Sequence, residues 1–338
     1  MLKSKPQVSV IMPTYNTNET YLKTAIESIL NQSLEDFEFI IIDDGSVEND
    51  YAIVNSYEDK RIKAYKNKEN LGVAGTLNKA LSLAQGKYVA RMDADDISNE
   101  DRLKTTVEFL DQHSDIDICG SFVKTFDAKN KKQKFFEDNL DIRAQLFFTS
   151  PFAHPSVTFR KTAIEKYNIR YEEKIKAEDY RLWSELAKNK EVKFANIPEY
   201  LLNYRIHPEQ ITKSDKNVID SGSKVVDDLL DFIDCDLEAN QRQLFIDFAR
   251  FKREFSAAEL KEIDGLILDI IENYNIEKIT SKSSAYKVFN YNYAKTCLRQ
   301  KLVYDNYHAK IYKSSAISKK SKLNTKYKTI ISLLDIIA

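Results

Sequence analysis

Apolar positions change their period along the chain, and the changes mark its organisation. From residue 8 to about 122, short β-prone runs alternate with segments of helical period. "VSVIM" (8–12), "FEFIII" (37–42), "RIKAY" (61–65), "KYVARM" (87–92) and "DICGSFV" (117–123) read as strands. Between the first two, Leu22, Ile26, Ile29 and Leu30 recur at i, i+4, i+7 and i+8, which predicts a helix over 21–31. Helices are also expected at 74–84 and 98–112, the second with Leu103, Val107 and Leu110 on one face. This alternation predicts βαβ units and a largely parallel sheet. Residues 123–140 are polar and lysine-rich, a surface excursion. Residues 141–212 are mixed, with "HPSVTFRK", a helix in "EDYRLWSELAKN" and a strand in "EYLLNYRIH". From Asp215 the period is helical, with no proline after Pro208. The expectation is an α/β domain over 1–212 followed by a helical region over 213–338.

Composition narrows the function. Hydrophobic residues make up 43% and charged residues 30%, enough apolar surface for a folded core. With 51 Lys+Arg against 52 Asp+Glu there is no basic excess of the kind nucleic-acid binders carry, so no nucleic-acid partner is expected. Cys119, Cys235 and Cys297 are far apart and lack C-x-x-C pairing, which suggests neither a disulfide framework nor a zinc site. A reducing compartment fits. The apolar run Val8–Met12 is too short for a signal peptide, and no segment reaches the roughly 18 apolar residues that span a bilayer. The expected location is cytoplasmic.

The polar chemistry gathers where predicted strands end. Five of the seven glycines fall before residue 121, close to those ends. In open α/β sheets ligands bind beyond the carboxyl ends of the strands, and three polar loops leave there: "PTYN" (13–16), "DDGS" (43–46) and "DADD" (93–96). Carboxylates two residues apart on a turning loop can face one small volume, which suits a hard divalent cation. A lone D-x-D is weak evidence, since acidic turns are usually just solvated. Three aligned loops say more.

"VSVIMPTYN", "FEFIIIDDGS", "NLGVAGTLNKAL", "GKYVARMDADD" and "AEDYRLW", in that order and spacing, resemble glycosyltransferase family 2, over about residues 7–210. The resemblance implies an α/β GT-A fold, a Rossmann-like, mostly parallel sheet flanked by helices, with a helical C-terminal domain or extension. It divides 1–212 into a nucleotide-binding half (1–122) and an acceptor-side half (123–212). The implied activity is inverting transfer of a hexose from a UDP-sugar donor to the hydroxyl of a saccharide or lipid-linked saccharide acceptor, as in bacterial surface polysaccharide synthesis. It implies Mn2+ or Mg2+ as cofactor, with Asp95 as direct metal ligand and Asp93 on the ribose or the metal's water shell. Tyr15 would stack on the uracil, Pro13 and Thr14 would present backbone to it, and Asp44 would accept its N3 proton. Asn78 belongs to a further segment near the nucleotide, where Leu77 replaces the arginine of many relatives. Asp179 would be the catalytic base and Glu178 would orient hydroxyls. Arg205 and His207 resemble a loop that closes over the diphosphate, the arginine on phosphate and the histidine on phosphate or metal.

Each residue also has a plainer reading. Tyr15 can be a buried loop aromatic, Asp44 or Asp43 an Asx-turn residue before Gly45, and Asp96 a helix cap or solvated acid. Glu178 and Asp179 can be a first-turn acidic pair favoured by the helix dipole. His207 can be a surface-loop residue beside Pro208, and His154 in "AHPSV" a shaper of the acceptor-side backbone. Leu323, Tyr327, Ile330, Ile331, Leu334 and Ile337 form the stripe of an amphipathic helix whose start carries Lys322, Lys326 and Lys328. Such a helix over 320–338 can touch the inner face of the cell membrane, dock on its own domain, or join a homo-oligomer. A sugar-1-phosphate nucleotidyltransferase would need an early glycine-rich basic loop, which "PTYNTNETYL" lacks. A dehalogenase-like phosphatase reading of "DADD" lacks the threonine that should follow. An inactive carbohydrate-binding relative is at odds with intact Asp93, Asp95, Glu178 and Asp179.

Overall fold

The computed structural model describes residues 5–47, 49–207, 216–299 and 315–320. In chain order the strands are β1 (Val8–Thr14), β2 (Phe37–Asp43), β3 (Ile62–Lys66), β4 (Tyr88–Arg91), β5 (Ile97–Ser98), β6 (Ile118–Asp127), β7 (Lys131–Gln133), β8 (Thr158–Arg160) and β9 (Phe194–Ile206). The helices are α1 (Glu19–Leu30), α2 (Asp50–Asn55), α3 (Gly72–Leu83), α4 (Arg102–Gln112), α5 (Asn139–Gln145), α6 (Lys161–Lys166), α7 (Glu178–Ala187), α8 (Lys216–Phe232), α9 (Ala239–Ala249), α10 (Ala257–Asn273), α11 (Lys282–Arg299) and α12 (Ala316–Lys320).

One sheet runs β3-β2-β1-β4-β8-β6-β9-β5, with β7 on the outer part of β6. β3, β2, β1 and β4 are parallel, as the alternating texture of the first half predicts. Buried on both faces, β1 and β2 read as continuous apolar runs rather than as alternating ones. The sheet then turns mixed. β8 lies antiparallel between β4 and β6, while β6 and β9 pair in parallel with a bulge at Ser121–Val123. The expected helix at 98–112 begins only at Arg102, because residues 97–98 are drawn into β5 against β9. α1 opens on Asn18, whose side chain accepts from the backbone N–H groups of Thr20 and Tyr21, and it buries Leu22, Ala25, Ile26 and Ile29. Gly86 has to be glycine, since a Cβ there would sit 2.4 Å from the backbone nitrogen of Ser9.

The residues fall into two compact units. The first comprises Met1–Asp138, Phe152–Leu182 and Glu191–Thr212, and holds the sheet. The second comprises Asn139–Pro151, Trp183–Lys190 and Lys213–Ala338, and is helical. Within the second, Phe148 packs edge to face against Phe248 and Phe289, with Phe245 tilted against Phe148 and Phe147 tilted against Phe289. The buried Arg143 guanidinium donates to the carbonyls of Ala187 and Asn189. α10 starts with a reciprocal capping box between Ser256 and Glu259. Among the described residues no helix is long and apolar enough to cross a membrane. The amphipathic stripe from Leu323 to Ile337 lies outside the described residues.

Candidate active site

The carboxyl ends of β1, β2 and β4 open on one edge, and polar loops are tied together there. The Asp44 N–H donates to the Thr14 carbonyl at 2.8 Å, joining the first two loops. The Asx turn belongs to Asp43, whose Oδ1 accepts from the Ser46 N–H at 2.8 Å. Asp44 is left to reach across, and its Oδ1 accepts from Asn67 Nδ2 at 2.7 Å and from the Leu71 N–H at 2.8 Å. Gly45 takes φ +76°, and a Cβ on it would meet the backbone of Glu69 and Asn70 at 3.1–3.2 Å. Buried Asp50 accepts from the Thr14 hydroxyl and from the Thr17 N–H, and so fixes the β1–α1 turn. Asp50 carries no sequence signal, because it follows an unremarkable polar stretch. Pro13 is half-buried, while Tyr15 is not the buried loop aromatic of the plainer reading: its ring is 50% exposed beside these loops.

The DADD loop after β4 is a buried charge cluster. Asp93, Asp95 and Asp96 each offer a carboxylate oxygen within 4.8 Å of the others. Asp96 is neither a solvated acid nor a cap. It is fully buried, its Oδ1 accepts from the Arg205 N–H at 2.8 Å, and its Oδ2 has no hydrogen-bond partner. Beneath the loop lie two buried guanidiniums. Arg91 pairs with Asp93 at 2.5 Å, and Arg102 donates to the Arg91 carbonyl at 2.6 Å. Burial pulls Arg102 down to about 10. Burial raises Asp93, with Asp95 and Asp179 adding repulsion against the pull of Arg91. Burial together with the other two carboxylates holds Asp96 well above its ordinary range. Three crowded carboxylates, two of them raised by burial and mutual repulsion, around an orphaned buried oxygen form a donor set that suits a hard divalent cation with oxygen ligands.

β9 carries the partners of this loop. His207 Nε2 lies 3.0 Å from Asp95 Oδ2. Arg205, on β9, is engaged with the acidic loop and its surroundings. Its Nε donates to the Asp95 carbonyl at 2.6 Å, its Nη1 pairs with Asp127 at 2.5 Å, and its plane lies 3.9 Å from the Tyr21 ring centre and 4.4 Å from that of Phe126. Its effect on the site runs through Asp95. Residues 208–215, which follow His207, lie outside the described residues.

Asn78, on α3, reaches the chain that precedes α7. Its Nδ2 donates to the Tyr171 carbonyl at 2.9 Å and its Oδ1 accepts from the Tyr171 N–H at 2.8 Å, clamping the chain that leads into α7. Leu77 is wholly buried, so the missing arginine of this segment is replaced by core. The Tyr171 hydroxyl is 2.8 Å from His154 Nε2, and burial with nearby Arg91 keeps that imidazole well below its usual pKa. Glu178 and Asp179 start α7 close enough to Asp93 and Tyr171 to perturb both. Arg91, Arg102 and Tyr171 were not foreseen. A single arginine inside a strand run and a tyrosine in a loop give no pattern to read.

Burial, then repulsion by Asp179, pushes Glu178 up to about 7. A raised carboxyl contributes stability that is full below its unfolded pKa and is lost as pH rises through the folded value. The window therefore runs from about 4.5 to about 7. In metal-free protein, Glu178→Gln is expected to raise Tm by about 2–4 °C at pH 8, as a gain of about 1 kcal/mol would. The gain should vanish near pH 5. Calorimetric Tm curves for the two proteins that stay parallel across this range would show that Glu178 is not the group responsible.

A mixed α/β sheet with acidic loops converging at its carboxyl edge defines a sugar-nucleotide-type transferase fold, and comparison with known proteins agrees. Residues 9–168 match the family model for glycosyl transferase family 2. The chain is 39% identical over 210 residues to an uncharacterized glycosyltransferase of Methanocaldococcus jannaschii, covering 60% of this chain and 71% of that one. It is 31% identical over 221 residues to the O-antigen biosynthesis glycosyltransferase WbnJ of Escherichia coli, covering 63% and 85%. S. aureus TarS 1–349, solved in complex with UDP-GlcNAc, superposes with a TM-score of 0.58 over 91% of each chain at 20% identity, a likeness of fold. The chain belongs to glycosyltransferase family 2, with the GT-A fold expected for it, and it is a glycosyltransferase.

Proposed function

We propose that the protein is a metal-dependent, inverting glycosyltransferase that moves a hexose from a UDP-sugar to an acceptor hydroxyl of a growing bacterial surface saccharide. The observation that carries this reading is the convergence of Asp93, Asp95, Asp96 and His207 with Glu178 and Asp179 on one edge of the sheet. In the first unit, Tyr15 offers an exposed ring for the uracil, Pro13 and Thr14 shape the backbone beneath it, and Asp44 closes the base pocket. Asp93 faces the ribose and diphosphate. Asp95 and His207 would hold Mn2+ or Mg2+, which when bound neutralises the charge gathering on the departing diphosphate. Arg205 holds the Asp95 backbone and Asn78 holds Tyr171, so both position groups that meet the donor.

Inversion requires the acceptor oxygen to attack C1 from the side opposite the UDP leaving group. As the C1–O bond forms and the bond to UDP breaks, the hydroxyl proton passes to Asp179. Glu178, protonated over part of the neutral range, donates a hydrogen bond to a sugar hydroxyl. The three free, buried cysteines suit a reducing compartment, and we place the enzyme in the cytoplasm, where a lipid-linked acceptor would meet it at the membrane's inner face. The role of WbnJ in O-antigen biosynthesis and the UDP-GlcNAc bound by TarS favour this choice of pathway and donor.

A panel of UDP-hexoses, assayed for UDP release with and without Mn2+, tests the reading. Metal-dependent release of UDP from one donor is expected. Release of pyrophosphate from UTP and a sugar 1-phosphate instead would make the protein a nucleotidyltransferase.

A further inference from the structure

We propose that the lysine-rich hairpin formed by β6 and β7 docks the acceptor, and that this acceptor is a polyanionic saccharide chain bearing phosphate or carboxylate groups. The inference deepens the glycosyltransferase reading and rests on it. Between residues 124 and 134 there are five lysines, Lys124, Lys129, Lys131, Lys132 and Lys134, and a single acid, Asp127. That acid is already paired with Arg205. The chain as a whole has a net charge of −1, so the run is a local concentration and not part of a basic surface. Residues 127–134 are all exposed.

The pairing makes the arrangement costly without a ligand. Lys124 and Lys132 stand directly opposite each other in the β6–β7 ladder, and Lys131 faces Thr125, whose hydroxyl accepts from the Lys131 N–H at 2.8 Å. Like charges directly across a ladder destabilise it. Both ammonium groups lie over the same ring, Tyr200 on β9, at 5.8 and 5.4 Å from its centre. Two cations gathered at one aromatic ring and opposed across the ladder favour an anion that both can meet.

The hairpin is also tied to the reaction centre. Asp127 pairs with Ile206 in the β6–β9 register, one residue before His207, and its carboxylate holds the arginine that holds the Asp95 carbonyl. A chain lying along the lysines would therefore run toward the acidic loop and Asp179. Residues 127–134 contain no aromatic or large aliphatic side chain with which to enter a bilayer. That favours a hydrated chain over a membrane surface.

The test uses the full chain, labelled linear polyphosphate as probe, and two variants of equal net charge. One carries K129Q, K131Q, K132Q and K134Q, and the other carries K60Q, K104Q, K190Q and K261Q on exposed positions elsewhere. The unaltered chain is expected to bind polyphosphate with an affinity that falls steeply with salt. The hairpin variant should lose at least about tenfold and the control less than about twofold, with UDP-sugar hydrolysis equal in all three. Equal losses in the two variants, or no loss in either, would overturn the proposal. So would hairpin-dependent binding to phosphatidylglycerol vesicles without binding to polyphosphate, which would assign the lysines to a membrane. An absence of UDP-sugar hydrolysis in every protein would instead sink the enzymatic reading, a separable result.

Discussion

Asp95→Asn is expected to abolish metal-dependent donor turnover, by about 100- to 1,000-fold or more, and to leave the fold at least as stable as before. Its carboxylate is one of three whose oxygens gather within 4.8 Å, and it faces His207 at 3.0 Å. An amide is a far poorer ligand for a hard cation than a carboxylate. The same substitution removes one negative charge from a cluster in which burial and mutual repulsion already raise Asp93 and Asp96. Metal-free Tm should therefore hold or rise while turnover is lost. The Arg205 contact is to the Asp95 backbone carbonyl and survives the change. Parallel assays of UDP release over a Mn2+ titration and of metal-free melting decide the matter. Unchanged turnover at saturating Mn2+ would remove Asp95 from the metal site, and a collapsed Tm would make its role structural.

The parts of this site that sequence reveals are those where one residue type has one use at one kind of position. β1, β2 and β4 announce themselves because strands buried on both faces are mostly apolar, and the carboxylates at or just after the ends of β2 and β4, Asp43, Asp44 and Asp93, then stand out. β8, three residues long, and β5, two residues long, carry no period at all, yet β8 is the strand that turns the sheet from parallel to mixed. Side-chain direction is equally invisible. Which groups Asn78 and Arg205 meet depends on Tyr171 and Asp127, about 93 and 78 positions away in sequence. Asp96 reads as a surface acid until β9 is laid over it and its Oδ1 meets a strand N–H. Arg91 reads as an ordinary polar residue of a strand until the fold places it under Asp93.

Asp179→Asn should separate chemistry from binding. Asp179 shares the first turn of α7 with Glu178, and its charge reaches Asp93 and Tyr171, which places it over the acidic loop without making it one of the three clustered carboxylates. A positioned general base contributes about 100- to 10,000-fold, and transfer to an acceptor is expected to fall by that factor. The affinity for UDP-sugar should stay within about twofold, because the contacts proposed above for base, ribose and diphosphate lie on the β1, β2 and β4 loops and at His207, not on α7. A second signal distinguishes the loss of a base from a general loosening of the helix start. Asp179 is the largest cause after burial of the raised Glu178 pKa of about 7, so its neutralisation should shift the titration of Glu178 downward. The residual activity of the variant would then show its alkaline limb at lower pH than the unaltered enzyme. An affinity for UDP-sugar that fell as far as the rate would make Asp179 a binding residue, and an unmoved pH limb with full transfer activity would assign the proton to a group other than Asp179.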